Sequence, residues 1–407
     1  MKKICLTLSA IFCFSQLIAQ LHPTCDGARY RSDLFEEVTV TTGLKFGEGE
    51  TITGNFQELF LDVYEPAEDA AEMRPVILVA FGGSFIGGSR EDLDFLCRAY
   101  AKKGYVAVTI DYRLYDGPFF PLPNADQMTE VVIKAVSDMK AAVRFMREDA
   151  ATDNEFRVDS DNIFVGGISA GAIVAAHTAV LDENDELSEF VEELLEENGG
   201  LDGNSSTNTE YSSEVSGFIN FSGGLSEADW IDAEDPPFFS VHDEFDDVVP
   251  YGEGFASIFG IDIIYMEGSS TLQMRGDEVG VMNELQTLED SYVHVSYLGN
   301  PSSTAAYINA SADFMYELLC ADFVSDVAEY EIAVLKVQPN PTKGVVILEN
   351  FSTVGQVILY NAAGQRTGFW TNTSRIDLSD FAEGIYFLEA VNAEGERSRT
   401  ILIREAN

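Results

Sequence analysis

Five residues carry the sharpest chemical signal in the chain: Gly167-Ile168-Ser169-Ala170-Gly171, a G-x-S-x-G pattern. The apolar run Ile163-Phe164-Val165 before it reads as a buried strand, and the small-residue run from Ala170 to Leu181 reads as a helix. A serine on so sharp a strand-to-helix turn needs glycines two residues to either side, so that neighbouring chain can approach. The turn lifts the Ser169 hydroxyl towards a helix N-terminus, where amides and dipole favour developing negative charge. Without its flanking elements the pentapeptide is only a tight turn with a capping serine. With them it is a nucleophile in search of partners.

A serine becomes a useful nucleophile when an imidazole takes its proton and a carboxylate fixes that imidazole's tautomer. Four histidines are available: His22, His177, His242 and His294. His22 lies in the N-terminal tail, and His177 falls two turns into the helix after Ser169, where a core role is simplest. His242 ends a strand just before a run of acids. His294 follows the last strand and precedes the last helix, the place for a base when the chain order is Ser…Asp…His. The acid then belongs on the loop after Phe238–Val241, where Asp243, Glu244, Asp246 and Asp247 offer four carboxylates. Facing amides for the oxyanion would come from Ala170 and from the glycine-rich Gly82–Ser89 segment. A phosphate cradle is the other reading of that segment, but it lacks the Lys-Ser/Thr pair.

The elements that must hold these groups alternate strand and helix. Pro75–Phe81 and Tyr105–Ile110 are continuous apolar runs of the doubly covered kind. Helices are expected over about 90–103 and 127–149, and short leading antiparallel strands over 20–55. Phe218–Phe221, Pro237–Val241, Ile261–Tyr265 and Leu285–Leu288 supply further strands, with helices near 270–280 and 303–320. This predicts an α/β fold with a mostly parallel sheet and helices on both faces. Residues 182–215 interrupt the rhythm as an acidic insertion: a helix with an apolar stripe, then a Gly/Ser/Asn/Thr-rich tail. It reads as a solvated surface helix with a flexible tail, or alternatively as a lid. From about 325 only short alternating strands remain, so a second, all-β domain is expected.

The full sequence has 407 residues, with 69 acidic against 24 basic and a net charge of −45. Such a balance argues against nucleic acid and anionic membrane surfaces as partners. Residues 1–19 have the charged start, the apolar run from Cys5 to Phe14 and the small-residue end of a signal peptide, and no other stretch is long enough for a transmembrane segment. Outside it, Cys25, Cys97 and Cys320 predict one disulfide and one buried thiol, with the pairing open.

Beside the serine turn, five segments carry a resemblance. His242–Tyr251 resembles the H-G-x-x-D-x-x-V-P-Y loop of α/β-hydrolase carboxylesterases, which puts the acid on Asp246, with Asp247 the runner-up. Val293-His294-Val295-Ser296-Tyr297 resembles the loop carrying the base, and Phe81-Gly82-Gly83-Ser84-Phe85 resembles the H-G-G-G/S-F oxyanion loop, implying Gly83 and Ser84 beside Ala170. Lys103–Leu114 and Ala141–Phe145 are similar to the esterase and lipase branch. Within it the chain, over roughly 50–320, looks most like secreted feruloyl and acetylxylan esterases. The departures are Phe81 for histidine, Asp243 for glycine, Ser296 for proline, and Ser291-Tyr292-Val293 for small residues. The family's histidine orders its loop and moves no proton, so activity is expected to survive Phe81.

At the other end, Val337-Gln338-Pro339-Asn340-Pro341, Leu359-Tyr360-Asn361 to Gly364-Gln365 and Gly384-Ile385-Tyr386 closely resemble the type A sorting domain of the type IX secretion system. That implies a small β-sandwich engaging the type IX machinery, and a secreted or surface location. A polysaccharide-binding sandwich is the alternative, with Trp370 and Phe369 its main aromatic candidates. The divisions expected are 1–19 signal peptide, 20–325 catalytic domain and 331–407 sorting domain. The leading reading is a serine ester hydrolase acting on short-chain or polysaccharide-linked esters, with Ser169, His294 and Asp246 catalytic and no cofactor or metal. The competitors are a peptidase of the same fold and a non-catalytic surface binding protein.

Overall fold

The computed structural model describes residues 24–325 and, further on, 336–349, 354–361, 366–371, 373–379, 381–392 and 397–405. The signal-peptide assignment and His22 lie outside the described residues. The chain divides into two compact units after Ala321.

In the first unit the strands are β1 (Val38–Glu50), β2 (Phe56–Pro66), β3 (Arg74–Ala80), β4 (Val106–Ile110), β5 (Val158–Ile168), β6 (Gly217–Phe221), β7 (Gly224–Leu225), β8 (Phe238–Asp243), β9 (Glu253–Ile258), β10 (Ile261–Gly268) and β11 (Asn283–Leu288). The helices are α1 (Asp94–Lys102), α2 (Ala125–Ala151), α3 (Ala170–Val180), α4 (Glu189–Glu197), α5 (Ser269–Val279) and α6 (Pro301–Ser325). Eight strands form one sheet in the order β1-β2-β4-β3-β5-β6-β8-β11. From β4 to β11 every neighbouring pair is parallel, while β1 and β2 run antiparallel at one edge. Every residue of β3, β4 and β6 is buried, as the unbroken apolar runs require. Helix α3 is apolar on all sides and buried almost throughout, so the core wraps it completely.

Three expectations change. Among the described residues up to 55 there is one long, bulged strand rather than several short ones. Ile261–Tyr265 is a strand, but it belongs to a separate three-stranded antiparallel sheet, β7-β10-β9, outside the main one. Its alternation is that of a hairpin, and it lacks the solid apolar run of a doubly covered strand. The tail at 198–206 is pinned and not loose. Lys134 donates to Asn198 at 2.8 Å, Lys140 to the Leu201 carbonyl at 2.8 Å, and Ser205 to buried Asp138 at 2.6 Å. Arg113, paired with Asp138 at 2.7 Å, also donates to Ser205. A polar sequence here meant buried hydrogen bonds rather than solvent.

Cys25 and Cys320 form the disulfide and Cys97 is the buried thiol, so the expected one-plus-one division holds. In the second unit all strand pairs are antiparallel. Lys336–Gln338, Val345–Glu349 and Arg375–Asp377 make one sheet. Val354–Asn361, Arg366–Thr371, Gly384–Asn392 and Arg397–Arg404 make the other. Val346, Leu348, Val357, Leu359, Leu388 and Leu402 belong to their common core. Trp370 packs against that core and Phe381, its ring 6.0 Å away, so it is no free-standing sugar platform.

Candidate active site

Ser169, Asp246, His294 and the Gly83–Ser84 turn sit beyond the C-terminal ends of parallel strands, where ligands bind in sheets of this type. The turn from β5 into α3 leaves Ser169 at φ 56°, ψ −120°, a conformation held only because the surroundings dictate it. A Cβ on Gly167 would come within 2.2 Å of the Gly171 carbonyl carbon, and one on Gly171 within 2.0 Å of the Ala80 carbonyl oxygen. Both contacts are to backbone, which cannot swing away, so the two glycines of the pattern are sterically required.

Three separate strand ends bring the polar groups together. Ser169 Oγ lies 2.7 Å from His294 Nε2, and His294 Nδ1 lies 2.6 Å from Asp246 Oδ2. A carboxylate can only accept, so Nδ1 carries the proton and Nε2 is free to accept the serine hydroxyl. The other oxygen of Asp246 accepts the amides of Val248 (2.8 Å) and Val249 (3.1 Å). Burial opposes ionisation of Asp246, but hydrogen bonds from His242 and His294 outweigh it and hold the carboxyl well below the usual range. Asp247, the runner-up, is exposed.

His242 has a role that its sequence position did not suggest. Its Nε2 lies 3.1 Å from the Val249 carbonyl and 3.4 Å from Asp246 Oδ2, so that nitrogen donates; Nδ1 accepts from Ser269 at 2.7 Å. This fully buried ring braces the acid at the same oxygen that His294 reaches.

The departures from the carboxylesterase motif also find each other. Buried Asp243, standing for glycine, accepts the Ser291 hydroxyl at 2.5 Å, the Ser296 amide at 3.0 Å and the Ser296 hydroxyl. Both serines flank His294 on its loop. The anomalies at 243, 291 and 296 are thus one clamp tying the acid strand to the base loop. Phe81 stacks on Tyr112 with ring centres 4.3 Å apart, and the Tyr112 hydroxyl donates to the Phe81 carbonyl at 2.7 Å. Aromatic stacking orders this loop in place of a polar ring. Ser84 and Ala170 border the same pocket as Ser169. Gly83 closes the adjoining turn, its carbonyl accepting from Ile86 and Gly87.

His177 is the core residue expected. Nδ1 donates to the Ile173 carbonyl at 2.8 Å, and Nε2 accepts from Ser226. Burial pushes it down to about 4. An unfolded chain takes up that proton near pH 6.5, so stability from this site is full above pH 6.5 and is lost as pH falls towards 4. We expect roughly 3 kcal/mol of acid destabilisation across that window, read from urea midpoints against pH, and a shallower slope in His177→Gln.

The strand order, the strained serine turn between β5 and α3, and the acid and base beyond β8 and β11 define an α/β-hydrolase fold. Residues 61–225 match the family BD-FAE, and residues 336–404 match the Secretion system C-terminal sorting domain. Over those stretches the chain is similar to an esterase domain and to a secretion sorting domain, and the sorting tail marks it for the cell surface or beyond. It is 28% identical over 153 residues to fumonisin B1 esterase of Sphingopyxis macrogoltabida, covering 37% of this chain and 27% of the relative. It is 26% identical over 223 residues to a probable isoprenylcysteine alpha-carbonyl methylesterase of Arabidopsis thaliana, covering 55% and 37%. The chain spans only about a third or less of the length of these curated relatives. A thermophilic esterase from Thermogutta terrifontis aligns with TM-score 0.49 at 21% identity, over 72% of this chain and 98% of that one. Among the described residues no group of acids, histidines or cysteines is placed to hold a metal ion, and no helix is long and apolar enough to cross a membrane.

Proposed function

We propose that the protein is a secreted serine carboxylic ester hydrolase working through an acyl-enzyme. What supports this most is the unbroken relay from Ser169 through His294 to Asp246, at 2.7 and 2.6 Å, with the imidazole in the tautomer a general base needs. Ser169 Oγ attacks the ester carbonyl as Nε2 of His294 takes its proton. The amides of Ala170, Ser84 and Gly83 receive the charge that develops on the carbonyl oxygen. His294 returns its proton to the departing alkoxide, leaving the acyl group on Ser169. A water, deprotonated by the same nitrogen, then releases the carboxylic acid. The scheme uses side chains, backbone and water alone.

The family resemblance alone puts short-chain and polysaccharide-linked esters in view, whereas the apolar pocket beside Ser169 favours a longer acyl chain. The division into signal peptide 1–19, catalytic domain 20–325 and sorting domain 331–407, with the last engaging the type IX machinery, is part of the same proposal. Rapid mixing of the whole chain with p-nitrophenyl butyrate tests the chemistry. One p-nitrophenolate per chain should appear in a burst before steady turnover. Linear release from the outset, with no acyl group on the protein, would remove the acyl-enzyme.

A further inference from the structure

The hairpin β9–β10, which the strand-helix rhythm did not foresee, carries apolar side chains on both sides, interspersed with the exposed Glu253 and Asp262. It supplies Ala256, Ile258, Ile263, Ile264 and Met266 to a pocket that Ser169 also lines. Its outer face and tip leave Phe255 56%, Phe259 75% and Ile261 54% exposed. A second loop adds Phe119 and Phe120, 71% and 86% exposed, with the Phe119 ring 6.0 Å from that of Phe259. Large exposed aromatics are costly in water, and clustered ones mark a binding surface.

The pocket indicates what such a surface meets. It runs down one side of α3 past Ile173 and His177, with Val132 of α2 and Val191 of α4 opposite. Both ring nitrogens of His177 are already engaged, so it offers ring carbon to the interior. Ser169 to His177 is about 12 Å along a helix, the reach of an extended chain of roughly eight to ten bonds. Ser84 and Ala170 line this pocket beside Ser169, so an acyl group attached to Ser169 Oγ can extend into it.

Resting on the ester-hydrolase reading, we infer that the substrate is a water-insoluble, uncharged ester with a straight aliphatic acyl chain of about eight carbons. The enzyme meets it at a surface through the β9–β10 hairpin and the Phe119–Phe120 loop. The net charge of −45 sets the choice of surface, since an anionic lipid layer would repel the chain and a neutral ester droplet would not. Aromatic geometry argues against a sugar polymer. Phe119 and Phe259 are tilted by 53°, and Phe255 meets Tyr265 edge-on at 84°, so no common flat face exists for a pyranose ring. Phenylalanine also lacks the polar handle that a wet sugar surface favours.

The test compares soluble p-nitrophenyl acetate, butyrate and octanoate with a trioctanoylglycerol emulsion, using the whole chain. Each methylene buried in the pocket contributes up to about fourfold, so kcat/KM for octanoate should exceed that for acetate at least tenfold. Val191→Trp and Val132→Trp, on two different helices, should each lower the octanoate-to-acetate ratio. Phe259→Ser and Phe119→Ser, on two separate loops, should each lower the emulsion-to-soluble turnover ratio at least tenfold. If one variant of a pair does not fold, the other decides. A preference for acetate, an unchanged emulsion ratio, or loss of binding to insoluble xylan in place of the emulsion would overturn the inference while leaving the hydrolase standing. No turnover of any soluble ester would remove the hydrolase itself.

Discussion

Replacing Ser169 with alanine is expected to abolish ester hydrolysis, with kcat falling about 10⁶-fold, the scale seen when a serine nucleophile is deleted from an assembled triad. Only Oγ is lost, from a position whose backbone is fixed by its glycine neighbours and by the Ser169 amide donating to the Phe221 carbonyl at 2.8 Å. Folding should therefore be unaffected, and a cooperative melt at the wild-type temperature is the control. Residual turnover within a hundredfold of wild type would mean that Ser169 is not the nucleophile.

The second large effect is on the acid. Asp246→Asn replaces a carboxylate that accepts from His294 Nδ1, from two amides and, at longer range, from His242. An amide can present its NH₂ group to Nδ1, which drives the histidine proton to Nε2 and takes away the base. The expected loss is about 10⁴-fold in kcat with the geometry otherwise kept. Asp247→Asn, next door but exposed, should stay within a few-fold of wild type. Because the two residues share one loop and one chemical type, the contrast isolates the contact with His294. Equal losses in the two would point to loop charge in general.

Much of this site was legible in the sequence because its parts are set by local rules. A buried strand, two glycines and a small-residue helix specify the serine turn without help from elsewhere. The chain order of the remaining titratable groups narrows the base to His294 and the acid to one loop. Choosing Asp246 over Asp247 needed the likeness to a known motif, since neighbouring carboxylates differ only in which way the loop turns them. Other features were not legible because they join residues far apart in the chain. Asp243, Ser291 and Ser296 read singly as three departures from a motif; in space they are one hydrogen-bonded clamp. His242 was the end of a strand until Val249 and Asp246 folded back over it. The tail at 198–206 had the composition of a flexible loop, and only the buried Asp138–Arg113 pair explains why it is fixed. The β9–β10 hairpin matched a strand pattern, but nothing local distinguishes a strand of the main sheet from one that walls a pocket.

The proposed mechanism stands or falls on a covalent intermediate on Ser169. The most direct measurement is to quench the whole chain with acid during steady turnover of p-nitrophenyl butyrate, digest it and weigh the peptide containing Ser169. A butyryl adduct is expected on that peptide, localised to the serine and absent from Ser169→Ala. Hydrolysis proceeding with no adduct, or with the acyl group on another residue, would contradict it.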